Sequence, residues 1–202
     1  HPLTAAYCAT HEYVKLFLNS PDMDILADAT LEVRAEFGND VLEGSDGIAG
    51  DVVRLLKRRG LTVATAESCT GGLVAKMITD ISGASDVFPG SVVSYANRIK
   101  ELALGVRPET LEAVGAVSRE TVREMAEGIA ERFGTDCAIA LSGIAGPGGG
   151  TKEKPVGLVY VACADKNGVR VERLQLTGSR ERIRSLAALR ALDMIRRAAI
   201  RA

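Results

Sequence analysis

Residues 65–72, Thr65-Ala66-Glu67-Ser68-Cys69-Thr70-Gly71-Gly72, decide how this chain is read. They follow an apolar run, Leu61 to Ala66, and lead into a second periodic apolar segment, Leu73 to Ile81. That order reads as a strand, a turn through small and polar residues, and a helix. Ser68 stands where a helix N-cap is expected. Free backbone N–H groups and the positive end of a helix dipole would meet there and stabilise a negative oxygen. A hydroxyl at such a corner is either a cap or a nucleophile beside an oxyanion hole.

Outward from this corner the punctuation is regular. Ile48, Val52, Leu55 and Leu56 have the spacing of an amphipathic helix that Gly60 stops. Val87 to Tyr95 reads as a second strand, with Pro89 near its start or at an edge. Asn97 to Leu104 and Pro108 to Val114 are short helices, and Ser118 caps a helix whose stripe is Val122, Met125, Ala126, Ile129, Ala130 and Phe133. Asp136 to Leu141 is almost entirely apolar, the mark of a strand buried on both faces.

A glycine-rich loop, Ser142 to Gly150, follows. Val156 to Ala164 and Val169 to Leu176, joined through Lys166-Asn167-Gly168, form an antiparallel pair. A last helix runs from about Ser179 to Arg197. The fold class expected is α/β: a three-layer α/β/α domain with a mixed, mostly parallel five-stranded sheet over residues 46–202. Residues 1–45 read as a small N-terminal β-α-β appendage, with a half-buried strand around Tyr13 to Leu18 and a helix from Met23 to Phe37.

Composition narrows the function classes. The 202 residues are 47% hydrophobic and 25% charged, with no Trp and a net charge of −1, an ordinary α/β balance. Near-neutral charge argues against a dominant phosphate-backbone surface, so no nucleic-acid partner is expected. No apolar run reaches the ~18 residues of a membrane span, and no signal-peptide pattern is visible. The four cysteines, Cys8, Cys69, Cys137 and Cys163, are widely spaced; Cys137 and Cys163 read as small buried hydrophobes, and a cytoplasmic location is expected. The first residue is His1, so a longer gene product is expected.

Three segments that follow strands are rich in glycine and hydroxyl groups: Glu67 to Gly72, Tyr95 to Lys100, and Ser142 to Gly150. Loops beyond the carboxyl ends of parallel strands are where open α/β sheets bind ligands, so the three are expected to converge. Each has a plain alternative. Ser68 as a cap is worth ~1 kcal/mol; Gly71-Gly72 serves close packing, the glycine loop is a surface loop, Lys100 is a solvated helix lysine, and Tyr95 packs at a strand end. Neither a Walker lysine motif nor a dinucleotide glycine fingerprint is present. Both histidines, His1 and His11, lie in the appendage, which removes a Ser-His-Asp triad from the main body and leaves zinc unsupported. A nucleophilic Ser68 would therefore use a lysine, tyrosine or carboxylate base, which points to a Ser-Lys type of site.

Four ordered motifs now fit a family. Thr65 to Gly72, Gly90-x-x-x-x-Tyr95-x-Asn97-x-x-Lys100, Gly143-Ile144-Ala145-Gly146-Pro147-Gly-Gly and Lys154-Pro155-Val156-Gly157 resemble the CinA C-terminal domain, over about Ile48 to Ile195. The resemblance implies a nicotinamide mononucleotide amidohydrolase, which converts the carboxamide to nicotinate mononucleotide and ammonia in pyridine nucleotide recycling. It implies Ser68 as nucleophile, Lys100 and Tyr95 as its proton partners, and neither metal nor cofactor. Residues 1–45 look like the tail of the middle domain of two-function CinA proteins, whose pyrophosphatase domain lies outside this sequence.

Physical chemistry agrees with those roles if something lowers the Lys100 pKa from ~10.4 toward ~7–8, for which burial or the neighbouring Arg98 is a candidate. Backbone N–H groups of Cys69 and Thr70 are expected to hold the oxyanion, with Gly71 and Asn97 nearby. Gly143, Ala145 and Gly146, the Thr70 hydroxyl and Arg180 are expected to bind substrate, chiefly its phosphate. The partner expected is a small mononucleotide, with a second copy of the chain in a homo-oligomer. The competing readings are a non-catalytic nucleotide-sensing or interaction domain and a nucleotide hydrolase or phosphotransfer protein.

Overall fold

The computed structural model describes residues 2–10, 13–42, 44 and 46–202; His1 and His11 lie outside the described residues. Two compact units divide the chain, residues 1–47 and 48–202.

In the smaller unit β1 (Thr4–Ala9) pairs antiparallel with β2 (Val14–Asn19), in the register Thr4↔Asn19 to Ala9↔Val14. Helix α1 (Met23–Phe37) follows, its first turn capped by Asp22 Oδ1, which accepts from Asp24 N at 2.9 Å and Ile25 N at 3.4 Å. The order is β-β-α, in place of the expected β-α-β: the strand read around Tyr13 has a partner before it, and Val41-Leu42 forms no strand. β1 was concealed by its alanines, which carry little strand propensity. The strands are also mostly exposed where half-burial was expected.

The larger unit opens with α2 (Gly47–Arg59), followed by β3 (Val63–Glu67), α3 (Leu73–Thr79) and β4 (Gly90–Val93). Then come α4 (Asn97–Leu104), α5 (Pro108–Val114), α6 (Arg119–Phe133), β5 (Cys137–Gly143), β6 (Leu158–Asp165), β7 (Gly168–Gln175) and α7 (Arg180–Arg201). The sheet order is β4-β3-β5-β6-β7. β3 pairs parallel with β4 and β5, while β5–β6 and β6–β7 are antiparallel. The sheet is mixed as expected: β3, β4, β5 and β7 run one way and β6 the other, because β5 reaches β6 by a loop with no crossover helix.

Each strand presents different side chains to its two faces. Val63, Cys137, Ile139, Leu141, Val159, Val161 and Cys163 pack in one core cluster with α2, α3 and α7. Ala64, Ala66, Ala138, Ala140, Ala162 and Ala164 face a second cluster built on Val122, Met125, Ala126 and Ile129 of α6 and on Leu104 of α4. The alanine face lets α6 lie close to the sheet. Gly128 extends the same logic: a Cβ there would stand 1.7 Å from the Leu104 carbonyl oxygen, so only glycine lets the end of α4 rest on α6. A buried ion pair, Arg196 Nε to Asp51 Oδ2 at 2.5 Å, ties α7 to α2 on the opposite layer.

β3, β4 and β5 run the same way, so their carboxyl ends share one edge. From that edge the chain enters α3 on one face after β3, and α4 on the other after β4. This is a switch point of the kind where α/β sheets bind ligands.

Candidate active site

Ser68 is fixed by continuation of the sheet beyond the strand end. Its N–H donates to the Leu141 carbonyl of β5 at 3.0 Å, and Ser94 N–H donates to the preceding Glu67 carbonyl at 2.8 Å. Ser68 to Gly71 form a tight turn, with Gly71 N–H donating to the Ser68 carbonyl at 3.1 Å. Gly71 and Gly72 adopt φ of 62° and 93°, the left-handed region that a side chain would disfavour.

The helix does not begin at Ser68. Gly72 occupies the N-cap position of α3 and the capping group is the buried Glu67 carboxylate. It accepts from Gly72 N–H at 3.0 Å, Val74 N–H at 3.1 Å and Ala75 N–H at 2.8 Å. This corrects the reading of Ser68 as a cap: a carboxylate satisfies helix N–H groups better than a hydroxyl, and it takes up the dipole. The first-turn N–H groups of α3 therefore serve Glu67, and the Ser68 hydroxyl is released from capping. The N–H groups of Cys69 and Thr70 donate to no oxygen of the described residues. Burial pushes the Cys69 thiol up to about 11, while those two N–H groups partly oppose the rise.

Lys100 reaches this corner from the first turn of α4. Its side chain is only 1% exposed, and its Nζ donates to the Ser94 carbonyl at 2.6 Å and to Ser68 Oγ at 3.2 Å. Burial pulls the Lys100 amine below its usual 10.5, opposed by the Cys69 thiol. The exposed Arg98, expected as the cation that lowers it, has no part in the shift.

Ser68, Cys69, Tyr95, Asn97, Lys100, Gly143, Ala145 and Arg180 line one cleft of about 220 Å³, so most of the expected residues do converge. Ala116, Val117 and Ser142 complete it, and no carboxylate lines it among the described residues. Arg180 spans the rim: Nη1 donates to the Gly146 carbonyl at 2.8 Å and Nη2 to the Tyr95 hydroxyl at 3.0 Å. The Tyr95 hydroxyl thus meets Arg180 and makes no hydrogen bond to Ser68 or Lys100. Thr70, Gly71 and Gly146 lie outside the lining; the Thr70 Oγ1 is buried without a partner. Gly146 meets the site through its carbonyl, not through an N–H.

Four contributors were assigned no individual role in the sequence reading. The Ser94 carbonyl is a backbone group without a sequence signal. Ser142 Oγ donates to the Ala116 carbonyl at 2.6 Å and Lys154 Nζ donates to the Val114 carbonyl at 2.5 Å, which together hold the wall at residues 114–117. Arg184 Nη2 donates to the Thr70 carbonyl at 2.6 Å, though its sequence setting is that of a solvated helix arginine. Among the described residues no group of three His, Cys, Asp or Glu side chains is placed to hold a metal, and no helix is long and apolar enough to cross a membrane.

A three-layer α/β domain with a serine at the strand β3 corner beside a buried lysine is thus the class defined by fold and site. The CinA C-terminal domain family matches residues 45–199, and the chain belongs to it. A CinA-like protein of Syntrophomonas wolfei is 46% identical over 190 residues, covering 92% of this chain and 46% of that protein. A CinA-like protein of Kosmotoga olearia is 44% identical over 204 residues, covering 98% and 50%. The chain therefore spans about half the length of the curated relatives it matches. Among solved structures, the competence/damage inducible protein CihA of Agrobacterium tumefaciens superposes with a TM-score of 0.72 at 43% identity, over 76% of this chain and 95% of its own. A CinA superfamily protein from Klebsiella pneumoniae superposes with a TM-score of 0.75 at 33% identity, over 79% and 100%.

Proposed function

We propose that this chain hydrolyses the carboxamide of nicotinamide mononucleotide to nicotinate mononucleotide and ammonia. The observation that carries the reading is the buried Lys100 amine, 3.2 Å from Ser68 Oγ and held below its usual pKa, in a cleft without a carboxylate. A neutral lysine amine can take the serine proton, and a serine hydroxyl is a weak nucleophile until a base does so.

In this scheme neutral Lys100 accepts the Ser68 proton as Oγ attacks the carboxamide carbon. The C=O pair moves to oxygen, where the Cys69 and Thr70 N–H groups receive it. Re-formation of the C=O breaks the C–N bond, and the Lys100 proton leaves with the nitrogen as ammonia. Lys100 then takes a proton from water, which adds to the acyl carbon. Collapse returns that proton to Ser68 Oγ and frees the carboxylate product. Arg180, with no carboxylate partner among the described residues, binds the substrate phosphate, and Tyr95 holds its guanidinium at the rim.

The deciding experiment is ammonia release from nicotinamide mononucleotide by the purified chain, with and without a metal chelator, against nicotinamide, nicotinamide riboside and NAD. Saturable release from the mononucleotide supports the reading. Tight binding with no ammonia would replace it with a nucleotide-sensing role.

A further inference from the structure

The peptide between Thr70 and Gly71 is fastened at both ends. Its N–H donates to the Ser68 carbonyl at 3.1 Å, and its carbonyl accepts from Arg184 Nη2 at 2.6 Å. The Cys69 and Thr70 N–H groups lie on the turn that this peptide closes. Arg184 is half-buried on the inner side of α7, and among the described residues no ion pair or other side-chain hydrogen bond engages its guanidinium. It stands near enough to Gly71 that a Cβ there would be 3.5 Å from Nη2, and its charge acts on the neighbouring Cys69 thiol. Glu67 fastens the other side of the same turn through the N–H groups of Gly72, Val74 and Ala75.

We infer that Arg184 is a positioning residue for catalysis, which acts through the Thr70 carbonyl to hold the Cys69 and Thr70 N–H groups where the oxyanion forms. The inference rests on the proposed serine mechanism. Oxyanion donors work by being fixed before the charge develops, and an error of about 1 Å in such a site costs on the order of 100-fold. A guanidinium is suited to this task because it stays charged and presents its donors in a rigid plane. Its positive charge beneath the turn also favours negative charge above it.

Arg184→Gln and Arg184→Lys test this. Arg184→Gln should lower kcat for nicotinamide mononucleotide about 10- to 100-fold with KM within about twofold, and Arg184→Lys should recover a substantial part of the loss. A kcat within twofold of the unmutated protein, or a loss that vanishes when rates are scaled to the natively folded fraction, overturns the assignment. Phosphonylation of Ser68 by a fluorophosphonate separates this inference from the substrate reading, because it uses the same oxyanion site without a nucleotide. If the unmutated chain releases no ammonia, a tenfold slower labelling of Arg184→Gln still supports the positioning role. Equal labelling, or none in the unmutated chain, rejects it.

Discussion

The ε-amino group of Lys100 donates to the Ser94 carbonyl at 2.6 Å, a shorter contact than the 3.2 Å that separates it from Ser68 Oγ. The shorter contact leaves from the end of β4 and the longer reaches the end of β3, so a strand pair that is already hydrogen-bonded aims the amine. An acceptor carbonyl holds one N–H of the amine in a set direction and leaves the remaining positions of the nitrogen to face the serine.

Replacing Lys100 with Met separates chemistry from stability. Activity should fall on the order of 10²–10⁴-fold, the usual scale for loss of a general base. Burial holds the folded pKa below 10.5, so between that lowered value and 10.5 the unfolded chain binds more protons than the folded one. Stability of the unmutated protein then rises with pH across this window, and the full cost of burying the amine is present below it. The melting temperature of Lys100→Met relative to the unmutated protein should decline as pH rises through the window. An offset independent of pH would remove desolvation as the cause.

If Lys100 is the base, log kcat/KM of the unmutated protein should rise with pH to a plateau reached below 10.5, because only the neutral amine accepts a proton. A profile still rising through 10.5 would place the base elsewhere.

Ser68→Ala should reduce ammonia release by about 10³-fold or more while thermal unfolding changes little. The side chain is small, and among the described residues its one hydrogen bond is that accepted from Lys100. Because Glu67 rather than Ser68 caps α3, the substitution leaves the helix start intact. A large drop in melting temperature would return Ser68 to a capping role.

Arg180→Ala should raise KM for nicotinamide mononucleotide about 10- to 100-fold, the scale of one or two charge-assisted hydrogen bonds. Nicotinamide riboside, which lacks the phosphate, should be turned over as before. Equal losses on both substrates would show that Arg180 acts on the cleft walls through Gly146 and Tyr95.

Glu67→Gln keeps the shape but removes the charge from a buried group that receives three backbone N–H groups. A loss of about 2 kcal/mol is expected, a fall of about 4–8 °C in melting temperature. Calorimetry or thermal denaturation by circular dichroism measures it directly.

The layers of the larger unit were legible because every strand and helix carries its own period and punctuation, from Gly60 to the cap at Ser118. The convergence of Ser68, Lys100 and the glycine loop at Gly143 was also legible, since strands that run in parallel bring their trailing loops to one edge. The start of α3 was not. Ser68-Cys69-Thr70 has the composition of a cap, and only the fold shows that Glu67 reaches forward past two left-handed glycines. The reason for the lowered Lys100 pKa was half visible: desolvation depends on tertiary packing, whereas Arg98 merely stood next in the chain. Arg184 was hidden by its neighbours, because one arginine of several in a helix gives no sign of which carbonyl it will meet.

Arg180 and Arg184 stand a single helical turn apart on α7, one fastened to the glycine loop and the other to the serine turn. Four residues of helix advance about 6 Å. The helix is thus a ruler for the cleft, and the gap between its two jaws is set by a backbone repeat rather than by loop length. The glycine loop can change in length or sequence beyond Gly146 without moving its fastening point. Any event that slides or frays the first turn of α7 would loosen the Gly146 side and the Ser68 side of the cleft together.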